Sequence, residues 1–527
     1  MWRIVVYGLL AVTLLFVYRF RILEFLNSKL YGEYTMEELT MQQKLEDFNS
    51  FYFNLVESVP FFDEVEEMYG IDFRNRYEYY EEKIRDAEDN FEFYCTLKAI
   101  CRDIPSFHTD ICFPLYSSVS QMRCYNSRKI VTSLGKKSRI DAWTKIVEEA
   151  VHKYENVNML RVTYVDGKYL VDDLYLTDYY EQLRGCELLA IDGVSIDQYI
   201  TQNISIFSLY YDALADKAYR ETCVLNDQVG KRVCVLWKNE EGEQLERDMY
   251  LDYGAEVVSS YGYLFSAEPA PYISSYYSIK MQRDDENQLE YIEVNDFLNS
   301  DGEILMKYLE NSPSNTIVID LRNNYGGNID YAEKYIYPPL YENDVKQSYS
   351  WMVPDTDGNH AMTKNWIVSL NYKFQKDEDY YFYRTQNRFS GKAKQRKDVY
   401  YLVGPKTGSA ADTYVAMIKE NHLGTIVGET TGGEGMGASY ICDCLKNSSL
   451  IYVYYPSVAY DRETQKKKYG GTTPDYFVIR SVEEFRMRQQ YMAEGTAWEY
   501  ENQLEHDAVL KWVIEKQQFW EKSFDGD

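Results

Sequence analysis

The sequence predicts a multidomain α/β protein with a mostly parallel central sheet, a helical N-terminal region and a small β-rich module between them. Three observations carry this. Apolar runs rich in Val, Ile, Leu and Tyr (Tyr291–Phe297, Thr316–Leu321, Val399–Val403, Thr425–Val427) alternate with helical spacing at Gly302–Asn311 and Ala410–Asn421. Buried strands alternating with helices specify a parallel sheet. Residues 31–154 carry Glu, Tyr and Phe at helical spacing, as in Met36–Val56 and Tyr77–Ile104. Between about 155 and 252 the pattern changes to short strands: Leu160–Val165, Tyr169–Val171, Leu188–Ile191, Val233–Lys238 and Glu246–Leu251.

The N-terminus opens on an uncharged apolar run, Ile4–Tyr18, between Arg3 and the pair Arg19 and Arg21. It is shorter than the ~20 residues of an upright membrane-spanning helix. Its length suits a signal-peptide core, but no small-x-small cleavage site follows. Snorkelling arginines let such a run span as an uncleaved anchor. Residues 1–30 are therefore read as a signal anchor or signal peptide, and the protein as secreted or as extracytoplasmic and tethered to the membrane. The two arginines after the run oppose that orientation under the positive-inside rule.

Charge and cysteine content narrow the function. At 527 residues the formal charge is −28, which excludes a phosphate-binding surface for nucleic acid. Nine cysteines and five histidines show no paired metal-ligand spacing, so no metal site and no cofactor are expected. Cys442 and Cys444, alternate residues on an expected strand, point to one side; the sequence leaves disulfide pairing open. It carries no signal of oligomeric state.

Two stretches carry chemistry. In Val399–Gly433 a buried strand is broken by Gly404, Pro405 and Gly408, and Ser409 then opens a helix closed by His422 and Gly424. A serine at a helix N-terminus is either a nucleophile, where the dipole and free N–H groups favour negative charge, or an ordinary N-cap. Upstream, Asn315–Asn328 places a polar turn ending in Gly326-Gly327 after a buried strand. Glycines let such a turn face its N–H groups outward and supply half of an oxyanion hole.

The motifs Asp320-Leu321-Arg322-x-Asn324-x-Gly326-Gly327, Gly408-Ser409-Ala410-Ala411-Asp412, Gly428-Glu429-Thr430-Thr431-Gly432 and Gly470-Gly471-Thr472-Thr473-Pro474-Asp475, in this order, resemble the tail-specific (carboxy-terminal processing) serine peptidase family. That family includes the tricorn protease core and the non-proteolytic interphotoreceptor retinoid-binding protein. The resemblance spans roughly residues 90–480. It implies a ClpP/crotonase-like α/β core at 253–485 and a PDZ-like module at 155–252, where Leu188-Leu189-Ala190-Ile191-Asp192-Gly193-Val194 resembles a PDZ strand-turn. A PDZ groove binds an extended peptide as an added strand.

The resemblance also implies roles. Ser409 would be the nucleophile, with the N–H groups of Ala410 and of Gly326 or Gly327 as the oxyanion hole. His108-Thr109 matches the family's histidine motif and implies His108 as general base, although Ser106-Phe107 depart from the residues that usually precede it. The lysine-using branch has Lys in a Gly-Lys-Gly context where this chain has Gly433-Glu434-Gly435, so the tricorn-like arrangement is expected. The carboxylate position counted from Pro474 holds Lys468, and Glu463 is the nearest carboxylate in that loop. The substrate would be a peptide or protein; the alternative is a non-catalytic member that binds peptide or an apolar ligand. Trp351–Tyr383 reads as an aromatic and polar insertion, a surface excursion or a rim over the site. Val482–Trp520 reads as mostly one charged amphipathic helix (486–527 as the C-terminal unit), with His506 on its surface.

Overall fold

A computed structural model of the chain describes residues 37–106, 108–112, 142–143, 145–146, 160–172, 182–202, 221–225, 232–250, 279–298, 301–433, 440–497 and 499–524. The run Ile4–Tyr18 lies outside them, and no described helix is long and apolar enough to cross a membrane.

The N-terminal helical spacing forms α1 (Met41–Ser58), α2 (Phe62–Tyr69), α3 (Tyr77–Asp86) and α4 (Asn90–Arg102). A capping box starts α1, with Thr40 Oγ1 accepting from the Gln43 N–H and the Gln43 side chain accepting from the Thr40 N–H. Phe48, Phe51, Tyr52 and Leu55 recur at helical spacing and bury one face of α1 in a cluster with Phe93, Leu97 and Ile100 of α4. A short strand, β1 (Asp110–Cys112), follows.

The next strands are β2 (Leu160–Val165), β3 (Lys168–Asp172), β4 (Glu187–Ile191), β5 (Val194–Ser195), β6 (Glu221–Val224), β7 (Arg232–Lys238) and β8 (Gln244–Tyr250), with helix α5 (Ile196–Gln202). They form one antiparallel sheet in the order β6-β2-β3-β4-β7-β8, with β5 paired to β4. Leu160, Val162, Val171, Leu188, Ile191, Val233, Val235 and Trp237 supply its own apolar core.

Beyond it come β9 (Ile279–Asp284), β10 (Leu289–Val294), α6 (Gly302–Asn311), β11 (Thr316–Asp320), β12 (Val345–Pro354), β13 (Gln375–Asp377), β14 (Tyr380–Phe389), β15 (Asp398–Val403), α7 (Ala410–Glu420) and β16 (Thr425–Gly428). The chain finishes with β17 (Ile441–Cys444), β18 (Ile451–Tyr454), β19 (Val458–Asp461), β20 (Lys466–Lys468), β21 (Tyr476–Phe477), α8 (Val482–Glu494), α9 (Tyr500–His506) and α10 (Ala508–Phe524). The central sheet runs β21-β16-β15-β11-β10-β9, with every pairing parallel except β9 against β10. Its inner strands β10, β11, β15 and β16 bury both faces, as a parallel sheet must. Ile317, Ile319, Tyr401 and Val403 pack under Leu305 of α6 and Ala411, Val415 and Ile418 of α7. Tyr291, Val318, Leu402 and Val427 pack under Tyr500 of α9 and Val509, Leu510 and Val513 of α10.

Three expectations change. The Trp351–Tyr383 insertion is not a surface excursion, because β12 and β14 pair over ten residues each within a five-stranded antiparallel sheet, β13-β14-β12-β19-β20. Trp351, Val353 and Tyr383 bury in the same cluster as α1 and α4. The tail is three helices rather than one: Gly495, in the left-handed region at φ 73°, ends α8, and α9 breaks at Asp507. His506 is buried, at 3% exposure. Cys442 is disulfide-bonded, whereas Cys95, Cys101, Cys186, Cys234 and Cys444 carry no disulfide.

Candidate active site

The site grows from the C-terminal ends of the parallel strands, where an open α/β sheet leaves its loops free. After β11 the chain turns at Asn324, fully buried. Its amide donates to the Val294 carbonyl at the end of β10 (2.9 Å), while its side-chain oxygen accepts from the Gly326 N–H (2.8 Å). Its own carbonyl accepts from the Gly408 N–H at 3.0 Å. One asparagine thus ties three loops together, which requires a side chain with both a donor and an acceptor. Thr407 adds a second tie, donating through Oγ1 to the Leu321 carbonyl at 2.7 Å.

Ser409 follows at φ 53°, ψ −122°, and makes no capping hydrogen bond to α7. An N-cap residue has extended backbone and caps through its side chain. Ser409 does neither, so the ordinary N-cap reading does not hold. Its backbone lies in a region that costs a non-glycine residue on the order of 1–3 kcal/mol and persists only where surrounding structure imposes it. The Ser409 N–H donates to the Gly433 carbonyl at 2.9 Å, which fixes the turn.

Gly326 packs directly on this serine. A Cβ there would lie 2.7 Å from Ser409 Cβ, 2.8 Å from the Gly408 carbonyl oxygen and 2.9 Å from the Ala410 nitrogen. The position also has φ +102°, so both space and backbone require glycine. With the Gly326 N–H committed to Asn324, the N–H groups of Gly327 and Ala410 are the ones that no described residue accepts from. Of the two glycines expected as donors, the structure leaves Gly327.

Asp412, three residues into the serine turn, is a tie that sequence reasoning passed over. It is buried, and Oδ1 accepts from Thr431 Oγ1 (2.5 Å), Thr472 Oγ1 (2.8 Å) and the Thr472 N–H (3.1 Å). The head of α7 is thereby joined to both glycine loops. Its place inside the Gly-Ser-Ala-Ala-Asp motif was the available signal.

His108 comes from the other side. Asp103, buried at the end of α4, is held by Arg76 Nη1 (2.7 Å) and the Tyr80 hydroxyl (2.5 Å). Ser106, one of the departures from the family pattern, organises the next turn, its Oγ accepting from the His108 N–H and from Thr109 Oγ1, each at 3.3 Å. The β1–β18 register pairs Asp110 with Val453, and continuing it sets His108 opposite Tyr455. The two rings meet edge to face at 4.5 Å. His108 Nε2 is sealed from solvent, and burial pushes the imidazole down to about 4.

Residues 469–472 are the seam between the two sides. The Tyr469 hydroxyl donates to the Pro105 carbonyl at 2.6 Å, three residues before His108. Gly470 packs on Gly433, whose carbonyl holds Ser409, and a Cβ on Gly471 would fall 1.7 Å from the Thr431 carbonyl oxygen. Thr472 then reaches Asp412. Ser409 and His108 are thus carried by loops that pack on the same four residues. Glu463 is not brought there: it is exposed in the turn between β19 and β20, where its N–H donates to Asp461 Oδ1 at 2.9 Å. Lys468, at the counted position, is also exposed and lies 3.8 Å from Glu420. Among the described residues no group of three His, Cys, Asp or Glu could hold a metal.

No curated protein matches the chain. Among solved structures, mature CPAF superposes with a TM-score of 0.51 at 13% identity, covering 89% of this chain and 99% of that one. Mature CPAF complexed with lactacystin gives 0.50 at 13% identity, over 87% and 98%. The photosystem II D1 C-terminal processing protease gives 0.34 at 13% identity, over 84% and 94%. The likeness to CPAF is one of fold. Residues 288–478, which hold both glycine turns, Ser409 and Asp412, match peptidase family S41. Over that segment the chain is similar to the tail-specific S41 peptidases.

Proposed function

We propose that the protein is a serine-type peptidase in which Ser409 attacks the scissile carbonyl. The observation that carries this is the Ser409 backbone itself: a strained serine at the head of a helix, with no capping role, backed by a glycine turn. Ala410 and Gly327 offer N–H groups to the oxyanion, and the N-terminal end of α7 adds positive potential. His108 serves as general base, accepting the serine proton through a neutral imidazole and returning it to the leaving amine. Its low pKa keeps it neutral throughout the physiological range. Glu463 takes no part. Glu434 stands where the lysine-using branch has its base, which leaves the tricorn-like arrangement.

The module of β2–β8 and α5 fits a PDZ-like role, receiving an extended peptide at a sheet edge. The Ile4–Tyr18 run between arginines supports an extracytoplasmic protein tethered by its N-terminal segment, acting on exported peptides or proteins. A fluorophosphonate probe tests the nucleophile. Stoichiometric labelling of Ser409 in the folded protein, lost on denaturation and in Ser409→Ala, is expected together with peptide hydrolysis. Neither labelling nor turnover on a peptide mixture would leave a peptide-binding member of the fold.

A further inference from the structure

On the opposite face of the central sheet from α7 lies a cavity of about 220 Å³. Its floor is the C-terminal edge of β10, β11 and β15, at Glu293, Asp320 and Val403; Arg161 and Thr163 of β2 and Asp172 of β3 cover it, and α8 and α9 close it. In open α/β sheets this edge is where ligands sit. The cavity also lies between three structural units, a common place for a small-molecule site.

The charges lining it do not all find partners. Arg322 is committed: its guanidinium pairs with both Asp320 and Asp507, each at 2.5 Å. Arg161 lies 3.7 Å from Asp172. Arg480 differs. It lines the same cavity, its Nε is sealed from solvent, and among the described residues none hydrogen-bonds or ion-pairs with it. Burial and then the neighbouring Arg488 guanidinium pull it down to about 10, which still leaves it charged at neutral pH. His506 leaves a second polar atom unanswered, as an acceptor rather than a donor. It is 3% exposed, its Nε2 lies 3.2 Å from the Ala497 carbonyl, and its Nδ1 is buried without a partner. Five carboxylates share the wall: Asp172, Glu293, Asp320, Glu429 and Asp507. Asp507 and then Glu429 act on Arg480 as counter-charges without bonding to it, and burial followed by Asp320 pushes Glu293 up toward its neutral form.

A half-buried guanidinium whose Nε is sealed from water without an acceptor, and whose main counter-charge, Asp507, is already held by Arg322, is costly, and guanidinium geometry is matched by planar or tetrahedral oxyanions. We infer that this cavity binds a small oxyanion group, a phosphate or a carboxylate, on Arg480, with Arg488 beside it. The inference is independent of the chemistry proposed at Ser409, which lies across the sheet.

The test uses the full chain and its Arg480→Met and Arg480→Lys variants, followed by thermal unfolding at constant ionic strength against a chloride control. The probes are inorganic phosphate, acetate, and a short peptide with a free or an amidated C-terminus. A saturable rise in Tm is expected in the wild type, absent in Arg480→Met and weakened in Arg480→Lys. A rise with phosphate alone assigns a phosphoryl group. A rise with acetate and the free peptide, but not the amide, assigns a carboxylate. Without anion, Arg480→Met should be at least as stable as the wild type, because it removes a guanidinium that no described residue hydrogen-bonds or ion-pairs. No anion-specific rise in the wild type, or a rise that survives in Arg480→Met, overturns the assignment.

Discussion

Gly326→Ala is the sharpest test of the serine turn, because the added methyl meets the proposed nucleophile and almost nothing else. It would sit 2.7 Å from Ser409 Cβ and within 2.9 Å of two backbone atoms of the same turn, so neither neighbour can swing away as a flexible side chain would. Overpacking of this kind costs about 1–3 kcal/mol. The left-handed backbone at φ +102° adds about 1–2 kcal/mol for any L side chain. Together the loss should be roughly 2–5 kcal/mol by those two principles. Gly495→Ala is the control: it also has positive φ, at +73°, but nothing lies within 4 Å of the new methyl. It should lose only the backbone share. Activity should separate the two further, since misplacing a reacting atom by about 1 Å can cost on the order of a hundredfold. Urea unfolding gives the stability of each variant, and the rate of fluorophosphonate labelling at Ser409 reads the geometry. If Gly326→Ala labelled as fast as Gly495→Ala, the glycine turn would not be positioning Ser409 and the account of the site would be wrong.

Other predictions follow from single contacts. With His108 at about 4 through burial, kcat/KM should stay level from neutral pH downward and fall only as pH approaches ~4; a fall centred near the unperturbed ~6.5 would exclude this buried imidazole as the base. The same shift makes stability pH-dependent: the folded pKa is depressed, so this contribution is intact above about 6.5 and is lost as pH falls toward about 4. Asp412→Ala strips the acceptor from two threonines and a backbone N–H and should destabilise by about 2–4 kcal/mol, with Asp412→Asn losing less, as urea melts would measure. Arg322→Met leaves Asp320 and Asp507 buried without their cation and should cost about 3–5 kcal/mol. Burial pushes Asp507 up but Arg322 outweighs it, holding the carboxyl well below the usual range. That contribution is therefore present above the ordinary carboxylate pKa and lost at lower pH, so an acid melt of the variant should show a shallower loss than the wild type.

The central sheet was legible because its strands are short apolar runs bounded by glycine and alternating with helices, a pattern that local sequence states directly. Ser409 and the Gly326-Gly327 turn were legible as motifs. Their finer geometry was not. Which glycine N–H stays free depends on the Asn324 side chain taking the Gly326 one, a choice made by a tertiary tie to Val294 and Gly408. Glu463 looked eligible by loop membership alone; its exposure follows from the tight β19–β20 pairing around it. The β12–β14 sheet was missed because β19, its third partner, enters from far along the chain, and the outer residues of β12 are polar. His506 was misread because a charged helical pattern hides a break at Gly495 that folds the last helices back onto the sheet.

Ser409 and His108 belong to different apolar bodies. Ala410, Ala411 and Val403 anchor the serine turn in the cluster around α7, whereas Ile104, Ile111 and Tyr455 anchor the histidine in the cluster of α1, α4 and the β12–β14 sheet. What joins them at 469–472 is hydrogen bonds and bare backbone, not interlocked side chains. Heat should therefore act on this protein in two stages. β12 and β14 run through both bodies, burying Trp351 and Tyr383 in one and Phe389 in the other, so slippage along the polar seam would flex these two strands and take the two groups out of register while each body keeps its packing. The temperature at which turnover is lost would then lie below the calorimetric melting point, and cooling from that interval would restore it in full.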